Sequence, residues 1–431
     1  MYHVSKLKNG ITLITVPIKG TKATTVLAMF PVGSRYEDPR ILGCSHFVEH
    51  LMFKGTIKRP TTAEIARTLD AYGAQYNAFT SKEYTGYYVK ISGNKQAVAY
   101  DILSDMLYNS QFVAEEVEKE KGAIVEELRM YKDNPLMDIE NIFETLLFGD
   151  TPLGRDIGGS EETVRGVTRE ELWGYYQQHY SPKNMVVVVA GEIDRKKIKT
   201  VLPKHFEVKA APKGSFGLKY YKKDFERIDY FKKKLPLSQR VFVKQKKVDQ
   251  SQLMLGFPGL HYNDPREDVL DVLSTILGGA MSSRLFIEVR ERRGLAYMIR
   301  SGGTFFRDTG AVYVQAGLDP ARMPEAIKVI KEQLVRMKDE KVTEKELEDA
   351  KNNIAGGIAL RMEDSHNQAN WFAEEFIFAN RIETQEEKIK KMKKVTAVQI
   401  QELAKQLFDF DQLRVAAISP VTQEKILEML K

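Results

Sequence analysis

Phe30 to Arg40 reads FPVGSRYEDPR, and Phe257 to Arg266 reads FPGLHYNDPR. The two stretches share Phe-Pro, Tyr and Asp-Pro-Arg once one residue is gapped, at an offset of about 226. Further on, Val167-Thr168 opens a helix-like stretch (VTREELWGYYQQHY) and Val395-Thr396 opens another (VTAVQIQELAKQLF), at an offset of 228. Each is followed by an apolar strand-like run, Met185 to Gly191 (MVVVVAG) and Leu413 to Ser419 (LRVAAIS). Two alignments that agree on one offset make the chain two copies of one fold.

Within a copy, runs such as Ile11 to Val16 (ITLITV), Thr24 to Val32 (TTVLAMFPV) and Thr85 to Ser92 (TGYYVKIS) are rich in β-branched and aromatic residues and are bounded by Gly, Lys or Asn. Strands come in groups, apart from grouped helices. This order predicts an α+β fold, each copy a mainly antiparallel sheet with helices packed on one face, rather than a doubly wound parallel sheet. The 431 residues suit two domains. The expected division is 1–212, a linker at 213–238 where Pro, Gly and Lys mix without apolar period, and 239–431.

Composition narrows the classes. Hydrophobic residues make up 43% and charged residues 29%, near the soluble globular averages, which excludes a disordered or collagen-like chain. MVVVVAG, the longest apolar run, is far short of the roughly 20 residues that span a bilayer, so no membrane association is expected. The start, MYHVSKLKNGITLITV, carries neither an export nor an import pattern, and the single cysteine, Cys44, cannot form an intramolecular disulfide; the expected compartment is the cytoplasm. Net charge is +6, and the basic runs Lys232 to Lys234 and Lys388 to Lys394 have acidic neighbours in Asp229 and the Glu386/Glu387 pair. With no nucleic-acid reader motif present, these runs read as solvated surface and no nucleic-acid partner is expected.

The chemistry-bearing stretch is His46 to Thr56, HFVEHLMFKGT. His46 and His50 are four apart and share a helix face, so both can offer an imidazole nitrogen to one metal at about 2.0 to 2.1 Å. Glu49, three residues from His46, projects near that face and can reach a water on the metal without being a ligand. H-x-x-E-H is the inverted-zincin order. A catalytic zinc takes three protein ligands and an open position, so a third must come from elsewhere. KEKGAIVEELRMYKDNP offers Glu120 and Glu127, seven apart and hence on one helix face, with Glu126 a competitor pointing about 100° away. Glu115, Glu116 and Glu118 read as exposed helix charges. Cys44 sits about 200° around the helix from His46, the place of a small packed thiol. His3, His179, His205, His261 and His366 have no paired spacing that suggests a metal.

Over its whole length the chain resembles the pitrilysin, insulinase and mitochondrial processing peptidase family of zinc metallopeptidases. HFVEHLMFKGT resembles the family signature, and Glu127, 77 residues beyond His50, falls at the family's spacing for the third ligand. The resemblance implies that His46, His50 and Glu127 hold one Zn2+, that Glu49 is the base and that Glu120 supports the site from behind the ligands. GAQYNAFTSKEYTGYY at 73 to 88 resembles the family's edge strand, in which Asn77 and Ala78 contact the substrate backbone. SSRLFIEVRERRGLAY at 282 to 297 resembles its Arg-Tyr substrate motif, with Arg290 directed to substrate carbonyls and Tyr297 to the oxyanion.

The second copy lacks the metal set: His46, Glu49 and His50 map near Val272, Thr275 and Ile276, and the helix matching Glu127 reads AGGIA without a carboxylate. The resemblance implies a degenerate half facing the active half across a cleft. It further implies a zinc-dependent endopeptidase for unstructured peptides or presequence-like segments, acting as a homodimer or with an inactive paralogue. The alternative from another class is a non-catalytic scaffold or regulatory subunit; such chains usually show a damaged H-x-x-E-H, which is intact here.

Overall fold

Val186–Gly191 is buried along its whole length, as a strand with neighbours on both sides and cover on both faces must be. The computed structural model describes residues 2–207, 230–231, 234–379 and 381–431, so most of the expected linker, 213–229 and 232–233, lies outside the described residues. In chain order the first half forms β1 (His3–Lys6), β2 (Thr12–Pro17), β3 (Ala23–Phe30), α1 (Cys44–Leu51), α2 (Thr62–Asp70), β4 (Gln75–Thr80), β5 (Thr85–Ser92), α3 (Gln96–Asn109), α4 (Ala114–Asp133), α5 (Pro135–Phe148), α6 (Glu161–Gly166), α7 (Arg169–His179), β6 (Val186–Gly191) and α8 (Arg195–Phe206). The second forms β7 (Val241–Gln245), β8 (Ser251–Pro258), α9 (Glu267–Ser274), β9 (Ala296–Phe305), β10 (Gly310–Leu318), α10 (Met323–Asp339), α11 (Glu344–Arg361), α12 (Ser365–Ala379), α13 (Gln385–Met392), α14 (Ala397–Leu407), β11 (Arg414–Ser419) and α15 (Gln423–Leu430).

The duplication is visible in topology. One sheet runs β1-β2-β6-β3-β5-β4 and the other β7-β11-β8-β10-β9. Removing β1 superimposes the two orders, and in each the sole parallel pair among the described residues joins the first long strand to the last, β2 to β6 and β7 to β11. The helices opened by Val167-Thr168 and Val395-Thr396 both form, α7 and α14, and each starts with a capping box, Thr168 with Glu171 and Thr396 with Gln399. The expected α+β class therefore holds, with two mainly antiparallel sheets. Among the described residues no helix is long and apolar enough to cross a membrane.

The compact units do not follow the linear halves. One gathers the described residues of 1–129, 155–225 and 361–382; the other those of 130–154, 226–360 and 383–431. The halves have traded a helix, α12 for α5. In the first unit Val26, Ala28 and Phe30 of β3 face the core built with α3, while Thr25, Tyr88 and Lys90 on the opposite face meet Ser365, His366 and Asp364 at the start of α12. In the second, Leu253 and Leu255 of β8 pack with α10 and α14, and Met254 packs with Ile139, Phe143 and Leu147 of α5. Strand alternation makes both faces apolar, so each sheet needs a second cover, and the exchanged helix supplies it.

Candidate metal centre

Cys44, Phe47, Val48 and Leu51 of α1 are buried, an i, i+3, i+4, i+7 stripe that fixes the helix on the first unit's core. That stripe leaves His46, Glu49 and His50 half-buried on the other side. Cys44 is the packed thiol expected of it. On α4, Val117, Ile124, Val125 and Leu128 are buried, which turns Glu120 and Glu127 toward α1. Glu126 points away, its side chain 71% exposed and paired with Arg129 at 2.8 Å, which removes it as the competing ligand.

Three donor atoms converge. His46 Nε2 lies 3.2 Å from His50 Nε2, His50 Nε2 lies 3.3 Å from Glu127 Oε2, and His46 Nε2 lies 3.8 Å from Glu127 Oε1. Ligands at about 2.0 to 2.1 Å on a tetrahedral zinc are about 3.3 Å apart, so these spacings are of the size that three ligands of one such ion would have. Among the described residues this is the only group of three or more His, Cys, Asp or Glu side chains with metal-ligand spacing. The donor set, two imidazoles and a carboxylate, suits zinc.

Glu120 is buried, and its Oε1 lies 2.8 Å from His50 Nδ1. That contact holds the proton on Nδ1 when the imidazole is neutral and leaves Nε2 as the donor to a metal. The other Glu120 oxygen accepts from Lys54. His46 Nδ1 is buried without a hydrogen-bond partner among the described residues, so His50 alone of the two imidazoles is braced by a carboxylate. Burial would lower the His50 pKa, but hydrogen bonds to Glu120 and Glu127 outweigh it and bring it up to about 9. Burial, then the charge of His50, brings His46 down to about 4. The His50 contact holds Glu127 below its ordinary range.

Glu49 takes no part in the triad. Its carboxylate accepts a hydrogen bond from Thr80 at the end of β4, and burial raises its pKa while that bond opposes the rise. A half-dried carboxylate with a raised pKa suits a general base. Thr80 and Lys54 were not singled out from the sequence. Lys54 lies inside the quoted motif, four residues after His50, but Thr80 is 31 residues from its partner and only the fold reveals it.

β4 is the edge of its sheet, so Asn77 and Ala78 do lie on an edge strand. Ser81 N–H donates inward to Tyr84 O at 2.8 Å, so by alternation Ala78 N–H faces the open side, where Asn77 Oδ1 accepts it at 2.9 Å. His46, Glu49, His50, Asn77, Ala78, Glu120 and Glu127 thus all belong to the first unit, and Arg290 and Tyr297 to the second. Arg290 lies in a π-helical stretch, Phe286–Glu291, with its guanidinium 4.7 Å from the Phe286 ring centre and 5.5 Å from that of Tyr297. Tyr297 is 73% exposed.

Comparison with known proteins places both halves of the chain in one family. Residues 14–161 match the insulinase model (peptidase family M16), and residues 166–354 match the model of the peptidase M16 inactive domain. An uncharacterized zinc protease of Bacillus subtilis, YmxG, is 34% identical over 96% of this chain and 97% of its own length. An uncharacterized zinc protease of Streptomyces coelicolor is 35% identical over 83% of this chain and 77% of its own. Among solved structures, a protease from Helicobacter pylori superimposes with a TM-score of 0.85 at 23% identity, covering 97% of this chain and 99% of that one. A chain of Complex III2 from Candida albicans gives 0.82 at 14% identity, with 99% of each covered. These last two establish the shared fold, while the family models and the bacterial relatives establish descent: the chain belongs to the insulinase family, peptidase family M16.

Proposed function

We propose that the chain is a zinc-dependent metalloendopeptidase that hydrolyses peptide bonds in unstructured peptides or presequence-like segments. The observation that carries this reading is the convergence of His46 Nε2, His50 Nε2 and a Glu127 carboxylate oxygen within 4.8 Å of one another, beside a separately held Glu49. One Zn2+ per chain, bound by these three residues, supplies Lewis acidity that brings the pKa of a water toward about 7. Glu49 takes the proton as water attacks the scissile carbonyl, then returns it to the leaving amine. An extended peptide adds to the open edge of β4, meeting the main chain at Ala78 and the side chain of Asn77, which keeps side-chain demands loose. Arg290 donates to substrate carbonyls, and the exposed Tyr297 hydroxyl stabilises the oxyanion. By family resemblance the working form is a homodimer or a heterodimer with an inactive paralogue, and the single cysteine suits a reducing cytoplasm.

The test is cleavage of a quenched fluorescent peptide pool by the purified chain, with a zinc chelator and zinc added back. Cleavage that stops with the chelator and returns with zinc supports the reading. Silence in a folded, zinc-loaded sample, alone and with any co-purifying chain, overturns it in favour of a scaffold.

A further inference from the structure

We propose that Glu37 is a positioning residue for the metal centre, its carboxylate clamping the first turn of α1 and so setting where His46, Glu49 and His50 point. What α1 does rests on the peptidase reading above; what Glu37 does rests on geometry. An eight-residue helix leaves its first N–H groups without intrahelical partners, and a Ser, Thr, Asp or Asn at the N-cap ordinarily meets them. Here the N-cap is Gly43, at φ 92°, and a Cβ on it would stand 2.4 Å from the Gly158 carbonyl oxygen. No capping side chain fits. The cap must come from elsewhere in the chain.

Glu37 provides it. Its Oε2 accepts the Gly43 N–H at 2.7 Å and its Oε1 the Ser45 N–H at 2.6 Å, and the residue is only 6% exposed. Both lengths are those of charge-assisted bonds, and a negative group at a helix N-terminus is favoured by the helix dipole. Burial nevertheless pushes the Glu37 carboxyl up to about 7, with the Ser45 and Gly43 contacts and Lys82 opposing it. A carboxylate kept at such a desolvation cost is kept for what it holds.

The clamp is itself anchored. Glu37 follows a short turn, Ser34–Tyr36, whose Ser34 and Arg35 N–H groups donate to Ser81 O and Lys82 O at 3.2 and 2.8 Å. Arg35 pairs with Glu83 at 2.6 Å, both side chains 2% exposed. The next residue back, Thr80, holds Glu49. The end of β4 and the turn after it therefore brace α1 twice, at its start through Glu37 and at Glu49 through Thr80. In the second copy Asn263 stands in the place of Glu37, and α9, which lacks the metal residues, is met at its start by a different side chain, Asp264, whose Oδ1 accepts the Arg266 N–H at 2.9 Å.

The experiment compares wild type with Glu37→Gln, which keeps one acceptor oxygen, and Glu37→Leu, which keeps none. Zinc affinity is read by chelator competition, kcat and KM on an unstructured peptide, and folding of the metal-free protein by thermal unfolding. The expected result is a graded loss, wild type over Gln over Leu. For Leu, zinc binding weakens by on the order of tenfold and kcat falls by on the order of a hundredfold, with KM within about twofold. Folded variants with wild-type zinc affinity and kcat would overturn the proposal. Should a variant not fold, hydrogen exchange in metal-free wild type decides: slow exchange at Gly43 and Ser45 supports the clamp, and fast exchange there rejects it. A wild type that binds zinc but cleaves nothing sinks the peptidase reading and leaves the zinc arm to judge Glu37.

Discussion

Glu120 Oε1 lies 2.8 Å from His50 Nδ1 and its other oxygen meets the Lys54 ammonium, so one buried carboxylate ties the His50 imidazole to a cation four residues further along the chain. Glu120→Gln should weaken zinc binding by about 10- to 100-fold without abolishing it, since the amide still orients the ring but no longer strengthens it as a donor. Glu127→Gln should cost more, because a ligand is lost. Equal losses in chelator competition would show that Glu120 is itself a ligand.

Zinc binding should release a proton. In the metal-free protein His50 titrates at about 9 and His46 at about 4, so between about pH 5 and 8 the first holds a proton that zinc must displace and the second does not. Apparent affinity should rise about tenfold per pH unit across that window. Calorimetry in two buffers of different ionisation heat measures the proton count, and a count near zero would refute it. The sign for stability is opposite. A His raised from 6.5 stabilises the metal-free fold fully below that value and loses the contribution as pH climbs through about 9, so metal-free protein should soften from neutral to alkaline pH.

Glu49→Gln should keep zinc and peptide binding while turnover falls by at least about a hundredfold. Thr80→Val is the finer probe. The Thr80 hydroxyl opposes the rise that burial imposes on Glu49, so its loss lets the Glu49 pKa climb further and moves the acid limb of kcat/KM to higher pH. An unmoved acid limb in Thr80→Val, or an active Glu49→Gln, would remove Glu49 from the base role.

Phe143 belongs to the first half of the sequence but is 1% exposed in the second unit, against Met254 and Ala416. Phe143→Ala should destabilise the protein by about 3–5 kcal/mol. Chemical unfolding monitored in the second unit would register it, and a loss under about 1 kcal/mol would mean that α5 is not the cover its packing makes it.

Local pattern carried a large part of the molecule. The repeated motifs, the strands at Thr12–Pro17, Ala23–Phe30 and Thr85–Ser92, the helices opened by Val167-Thr168 and Val395-Thr396 and the His46/His50 spacing are all short-range features, set by side-chain period and by which residues can share a helix face. The seven-residue spacing also singled out the face of α4 that bears Glu120 and Glu127.

Everything that depended on distant partners waited for the fold. Spacing favoured Glu127 over its neighbour Glu126, but it was the seating of α4 on its core that turned one to solvent and the other toward two imidazoles. Thr80 on Glu49, and Glu37 under α1, are ordinary residues whose roles come from burial and from a backbone too crowded at Gly43 to cap itself. The exchange of α5 and α12 has the same origin. Apolar alternation in a strand reports that both faces are covered, but not which helix covers them, because burial rewards area removed from water without regard to its place in the chain.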